Sequence, residues 1–197
     1  MTSVKALILC FVAVGTVAGS ARAANPVVEL DTSLGTIKIE LFEEKAPVTV
    51  KNFLKYVEDK HYDGTTFHRV MPTFMIQGGG FEPGKLATNK PKPTRDAIKN
   101  ESTNGLSNLK GTVAMARTPK PDSATSQFFI NVKDNTFLDK AKAEDGVGYC
   151  VFGRVISGLD VVEKIKDVET TTVGEHENTP KKDVLIKSVT LVKEEKK

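Results

Sequence analysis

Short segments that alternate apolar and polar residues recur along the chain, and only two helical patterns interrupt them. Ile37, Ile39 and Leu41 alternate with Thr36, Lys38 and Glu40, after Val28 and Leu30 and a Thr32-Ser33-Leu34-Gly35 turn. A period of two buries one face and wets the other, so Val28 to Phe42 is expected to be a β-hairpin. Pro47 suits the first turn of a helix, and Val50, Phe53, Leu54 and Val57 follow at i, i+3, i+4 and i+7. Leu159 to Val168 carries the second helical pattern, with Ser157 as the expected N-cap. Strands are expected at Thr65 to Gln77 (a pair broken near Pro72), Gly111 to Ala116, Gln127 to Val132, Gly148 to Val155 and Val184 to Val192. Glu82 to Lys110 is rich in Pro, Lys and Asn and lacks an apolar period, which predicts a long surface loop that shapes a site. Many strands with two distant helices do not alternate as βαβ units. They favour a mainly β, closed antiparallel barrel capped by helices.

The first 23 residues read as a removable leader. Lys5 supplies the positive end, Ala6 to Gly19 the apolar stretch, and Ala21-Arg22-Ala23 the small-residue cleavage site. Residues 24–197 are then expected to form a single domain. Removing Lys5 and Arg22 takes the formal net charge from +3 to +1. So small a balance gives no general reason to expect nucleic acid or a charged membrane as partner. Lys90 to Lys92 with Arg95 is basic but has no aromatic platform for bases. The mature chain keeps one cysteine, Cys150, in an apolar context that predicts burial, so no internal disulfide can form.

Familiar catalytic inventories are incomplete. His61, His68 and His176 lack metal-ligand spacing, and no cofactor motif is present. Ser123 and Ser126 lie outside any nucleophile elbow, which argues against a hydrolase. Gly78-Gly79-Gly80 runs into Phe81-Glu82-Pro83, not Gly-Lys-Ser/Thr, so it reads as a turn that needs positive φ. In a strand Phe67 and Arg69 share a face and His68 and Val70 the other, placing Arg69 toward the interior or a pocket, with Gln77 as a neutral partner. An arginine reaching water from a strand edge fits the same residues. Gln127 and Phe129 share one face and Phe128 and Ile130 the other, so one Phe can enter the core while its neighbour lines a pocket. Burial of both faces fits as well.

Six segments carry more information together than singly: Phe67-His68-Arg69-Val70, Phe74-Met75-Ile76-Gln77-Gly78-Gly79, Met115-Ala116, Ser126-Gln127-Phe128-Phe129-Ile130, Phe137-Leu138-Asp139 and Val151-Phe152-Gly153. In this order and at these spacings the chain resembles the cyclophilin family from about Val27 to Val192. The resemblance implies an eight-stranded β-barrel closed by two helices, with the site on its outer face. It implies peptidyl-prolyl cis-trans isomerase activity without a cofactor or covalent step. It makes Arg69 the central catalytic residue, supported by Gln77. Phe74, Met75, Phe129 and Leu138 would form the proline pocket, with Phe137 as a further apolar wall. Ala116, Gln127, Arg117, Thr118 and Tyr149 would line the groove.

Three positions depart from the commonest family pattern. Phe137 stands where many members have Trp, Tyr149 where many have His, and Arg117 where many have Asn. The first departure implies weak binding of cyclosporin A. Phe137 and Tyr149 in a compact chain look like bacterial members. With the leader, that points to the periplasm, the alternative being a secreted or endoplasmic-reticulum protein. The implied partners are proline-containing polypeptides and unfolded exported proteins. Neither nucleic acid nor, after leader removal, a membrane is expected, and a monomer is. A proline-binding module without turnover is the competing class, and an isomerisation rate separates the two.

Overall fold

The structure, a computed structural model, describes residues 24–193. The expected leader at residues 1–23 and most of the charged tail therefore lie outside the described residues. Strand β1 (Val27–Thr32) turns into β2 (Gly35–Leu41), with Val28 opposite Ile39 and Leu30 opposite Ile37. All four side chains are buried, as the period of two requires. The chain continues through β3 (Thr65–Val70), β4 (Met75–Gly78), β5 (Thr112–Met115), β6 (Phe128–Asn131) and β7 (Val151–Ser157) to β10 (Leu185–Leu191). These eight strands close into an antiparallel barrel in the order β1-β10-β3-β4-β6-β5-β7-β2. Closure leaves no barrel edge open for pairing with another chain.

Helix α1 (Pro47–Glu58) inserts Phe53 against Tyr62, Phe128 and Phe152, at ring centroid separations of 5.0–5.6 Å. Offset and edge-on aromatic contacts of this kind add to simple burial. No side chain of its own caps this helix. Glu101 does so from the long loop, accepting hydrogen bonds from Val48 N at 3.1 Å and Thr49 N at 2.8 Å. A carboxylate there satisfies orphan amides and suits the helix dipole. Helix α2 (Leu159–Lys166) buries Val161, Val162 and Ile165 in the same core.

Three local expectations need correction. Ser157 does not cap α2: it is the last residue of β7, and the cap position is Gly158 at φ 86°. A Cβ on Gly158 would run into the Thr36 carbonyl oxygen, so only glycine fits this close approach. The strand expected from Gly148 begins only at Val151, because Gly148 and Tyr149 belong to a loop. A small hairpin of β8 (Thr170–Val173) and β9 (His176–Pro180) forms a separate two-stranded sheet packed against β3, with no counterpart among the expected strands. Its segments are mostly polar and alternate weakly, so no apolar period betrays them.

The most consequential correction lies in β3. The ladder to β4 pairs Phe67 with Gly78 but Arg69 with Gln77 and Val70 with Ile76, so the register shifts at His68. This bulge inserts one residue and breaks the alternation. Phe67 and Val70 both enter the barrel core, while Arg69 is exposed. Phe67 and Arg69 therefore do not share a face.

Candidate active site

A second apolar cluster lies outside the barrel. Met75, Ala114, Phe129, Leu138 and Val151 are its buried members, and none belongs to the inner core. The ladders place Gln77 opposite Phe129, Phe129 opposite Ala114 and Ala114 opposite Val151, a row across β4, β6, β5 and β7. Alternation sends Phe128 and Ile130 inward from the same strand that presents Phe129 outward. The pairing of one inward and one outward phenylalanine is thus the arrangement adopted.

A slot of about 210 Å³ opens over this cluster. Met75, Phe129 and Leu138 form its buried base, and Phe74, Ala116 and Tyr149 its half-buried sides. Drug-sized sites span roughly 300–1,000 Å³, so this slot suits a single small ring. Arg69 and Gln77 border it. Arg69 makes no hydrogen bond or ion pair among the described residues, which leaves its guanidinium donors free. Gln77 is not bonded to Arg69: its Nε2 donates to Gln127 Oε1 at 2.9 Å. Gly80 leaves the room that the Gln127 amide fills, since a Cβ there would stand 2.6 Å from Gln127 Cδ. Gln127 itself lines the neighbouring cleft, not the slot.

Arg117 borders the slot, but its donors are already used. It pairs with Asp145, donates from Nε to the Gly148 carbonyl at 3.1 Å and stacks over the Tyr149 ring at 4.4 Å. Its side chain is only 3% exposed. The Arg117 hydrogen bond, with those from the Val147 and Gly148 amides, holds the Asp145 carboxyl down at about 2. Arg117 therefore braces the loop that carries Tyr149. Thr118 is exposed, bonds to Ser123 through its hydroxyl at 2.8 Å and lies outside the slot. Phe137 is 52% exposed and stacks on Phe74 at 5.7 Å, extending the apolar wall beyond the slot itself.

Residues that pattern reading passed over hold this surface in place. Asn108, Asn131 and Asn135 are fully buried. Asn135 Nδ2 donates to the Phe74 carbonyl at 2.8 Å and also to Asn131 Oδ1 at 2.8 Å. Asp139 accepts from Asn108 N at 2.7 Å and from the Ser107 hydroxyl. Burial acts to raise the Asp139 carboxyl, but hydrogen bonds from Ser107 and Asn108 outweigh it and hold it below the usual range. The short turn Thr136–Leu138 that presents Phe137 and Leu138 thus hangs on buried amides. Isolated Asn residues in a loop sequence carry no signal of this, because they are equally common in solvated turns.

Comparison with known proteins decides the family. Residues 27–191 match the model of the cyclophilin type peptidyl-prolyl cis-trans isomerase/CLD domain. The chain belongs to the cyclophilin family. Among its relatives, the cyclophilin is 58% identical over 167 residues to a peptidyl-prolyl cis-trans isomerase of Acinetobacter baylyi, covering 84% of this chain and 85% of that one. It is 55% identical over 166 residues to peptidyl-prolyl cis-trans isomerase B of Escherichia coli, covering 84% and 99%. A crystal structure of a cyclophilin type isomerase from Cryptosporidium parvum superposes with a TM-score of 0.72 at 25% identity, covering 87% and 99%. That protein was also crystallised in the presence of the dipeptide Ala-Pro, and this second structure superposes with a TM-score of 0.70. The protein is thus a peptidyl-prolyl cis-trans isomerase, and its barrel is the cyclophilin barrel.

Proposed function

We propose that this isomerase acts on X-Pro bonds of exported polypeptides and assists their folding, with Arg69 as the catalytic residue. One observation carries the assignment: an exposed, unpaired guanidinium borders a slot of one-ring size with an apolar base. Rotation about an X-Pro bond faces a barrier of about 20 kcal/mol, because resonance gives the C–N bond double-bond character. At the twisted transition state the prolyl nitrogen turns pyramidal and gains a lone pair. Arg69 donates toward that centre and the adjacent carbonyl. This interaction is stronger for the twisted form than for either planar isomer, so it lowers the barrier. The slot holds the proline ring while the preceding carbonyl swings. Its apolar walls exclude water and strengthen the charge interaction. Gln77, held by Gln127, keeps a carbonyl oxygen and one amide hydrogen for the substrate backbone. The Ala-Pro dipeptide used with the Cryptosporidium parvum isomerase supports proline-containing peptides as ligands here too.

The test is the rate of cis-trans exchange of a proline tetrapeptide, which takes tens to hundreds of seconds uncatalysed. Arg69→Ala is expected to lose about 100-fold or more in kcat/KM, each tenfold being ~1.4 kcal/mol. Arg69→Lys keeps the charge but loses the planar fork and is expected to lose most activity. Both variants are expected to keep the wild-type circular dichroism. Full activity in Arg69→Ala removes the mechanism.

Export is supported by Lys5, the apolar stretch from Ala6 to Gly19 and the Ala21-Arg22-Ala23 site. The destination we propose is the periplasm, where the enzyme works as a monomer without a cofactor. N-terminal sequencing of protein recovered from fractionated cells tests this. A cytoplasmic protein that retains Met1 overturns it.

A further inference from the structure

On the far side of Arg69 from the proline slot lies a second cleft, of about 460 Å³. The two share Arg69 and Gln77, so they adjoin along these side chains. The outer wall of this cleft is the turn of the β8–β9 hairpin, which packs against β3 and takes no part in the barrel. Glu175 lies in that turn and Glu177 in the first residues of β9. Both are exposed, and neither makes a hydrogen bond or ion pair among the described residues. The inner wall includes His68, the bulge residue, which is 7% exposed and whose Nδ1 has no hydrogen-bond partner. His176 Nε2 is likewise buried and unpartnered. The two imidazoles flank Phe81, with ring centroids 4.9 and 5.8 Å away. Buried polar atoms in folded proteins are nearly always paired, so these two unpaired ring nitrogens, on residues that line the cleft, mark it as a candidate for a ligand.

The chemistry of that ligand follows from the charges. Among the described residues, Arg69 is the one permanent cation lining the cleft. In the catalytic reading its donors turn toward the imide in the slot. His68 stays neutral at physiological pH because burial pushes its pKa down to about 4. Two carboxylates, which only accept hydrogen bonds, then dominate the outer wall. A substrate that seats its proline in the slot continues over this cleft, because an extended chain advances roughly 3.3 Å per residue.

We infer that the cleft beyond Arg69 is a specificity subsite that favours a positively charged side chain flanking the substrate proline, selected by Glu175 and Glu177. This rests on the Arg69 reading proposed above. It assigns to the β8–β9 hairpin a role in choosing substrates.

The experiment uses three proline peptides for each side of the proline. They differ only in whether the flanking residue is Lys, Gln or Glu. Exchange rates are measured with the mature wild-type enzyme, with Glu175→Gln/Glu177→Gln and with Glu175→Lys/Glu177→Lys. Exposed charge pairs are individually weak, so wild type is expected to prefer Lys over Glu by about five-fold in kcat/KM on one side, chiefly through KM. The preference shrinks below about two-fold in the neutral variant and in high salt, and reverses in the lysine variant. Equal rates for the Lys and Glu peptides on both sides, or a preference that survives both variants, overturns the subsite. Turnover of the Gln peptide by wild type and its loss in Arg69→Ala report on the catalytic reading separately.

Discussion

Arg69 stands directly opposite Gln77 across the β3–β4 ladder, one residue beyond the bulge at His68. The bulge turns Arg69 out of the barrel, and Gln77 is bonded in turn to Gln127. A cation and two amides thus lie side by side on a rigid sheet, where positions are held better than on loops.

Because Gln127 Oε1 accepts the hydrogen bond from Gln77 Nε2, Gln127→Ala frees the Gln77 amide to rotate. We expect kcat/KM for a proline tetrapeptide to fall roughly ten-fold, equivalent to ~1.4 kcal/mol. The thermal midpoint should change little, since the pair is only partly buried. Gln127→Glu, which keeps an acceptor oxygen, should recover part of the loss. An unchanged rate in Gln127→Ala separates Gln77 from catalysis.

His68 should make stability depend on pH. Burial lowers its pKa from 6.5 to about 4, against smaller opposing effects from the Thr66 backbone and the Gln127 side chain. His176 and Arg69 lower it further, and Glu175 and Glu177 share its cleft. Between these two pKa values the unfolded chain binds the proton and the folded one does not. Stability therefore declines as pH falls from 6.5 to about 4 and loses nothing more from this group below that. The full effect is at most ~3.5 kcal/mol, at about 1.4 kcal/mol per pH unit. Urea unfolding at several pH values should show a slope in wild type that is reduced in His68→Gln. Equal slopes would falsify the assignment.

Asn135→Ala should destabilise the protein without touching substrate. It removes one of the two hydrogen bonds to the Phe74 carbonyl, which Val132 N also reaches at 3.2 Å, and leaves the buried Asn131 Oδ1 without its donor. A buried polar group left unpaired costs about 1–3 kcal/mol. Phe74 forms a side of the slot, so KM should rise more than kcat falls. Denaturant titration and steady-state kinetics on the same preparation check both parts. Wild-type stability and KM together would show that the asparagine network does not position Phe74.

The chain contains no tryptophan, and Phe137 occupies the exposed end of the apolar wall. Phe137→Trp enlarges that wall and supplies an indole N–H donor. We expect cyclosporin A to bind at least ten-fold more tightly than to wild type, about 1.4 kcal/mol. The introduced indole also reports binding by its own fluorescence. Equal affinity in both proteins means that Phe137 does not limit cyclosporin binding.

Much of the architecture was legible in local pattern. The β1–β2 hairpin, the α1 stripe, β5 and β6 all follow from apolar spacing and turn residues. Spacing reports which residues seek the core, and the hydrophobic effect enforces that preference wherever an element is amphipathic. Legibility failed where a feature is polar or depends on distant chain. The β8–β9 hairpin has no apolar face, and the cap of α1 comes from Glu101, 52 residues after Thr49. The α2 cap was misplaced because Gly158 is required by the neighbouring Thr36 carbonyl, which no local pattern records.

By itself the amino-acid sequence determined the barrel strands, both α-helices and, through six ordered segments, the family. It did so because apolar periodicity and short motifs are properties of neighbouring residues. Only the tertiary structure decided which way Arg69 points, that Gln77 leans on Gln127, and that Arg117 is spent bracing Tyr149. Each of those outcomes depends on ladder register and on groups far apart in the chain. A single inserted residue in a strand reverses every later side chain, and that choice is made by the pairing of β3 with β4.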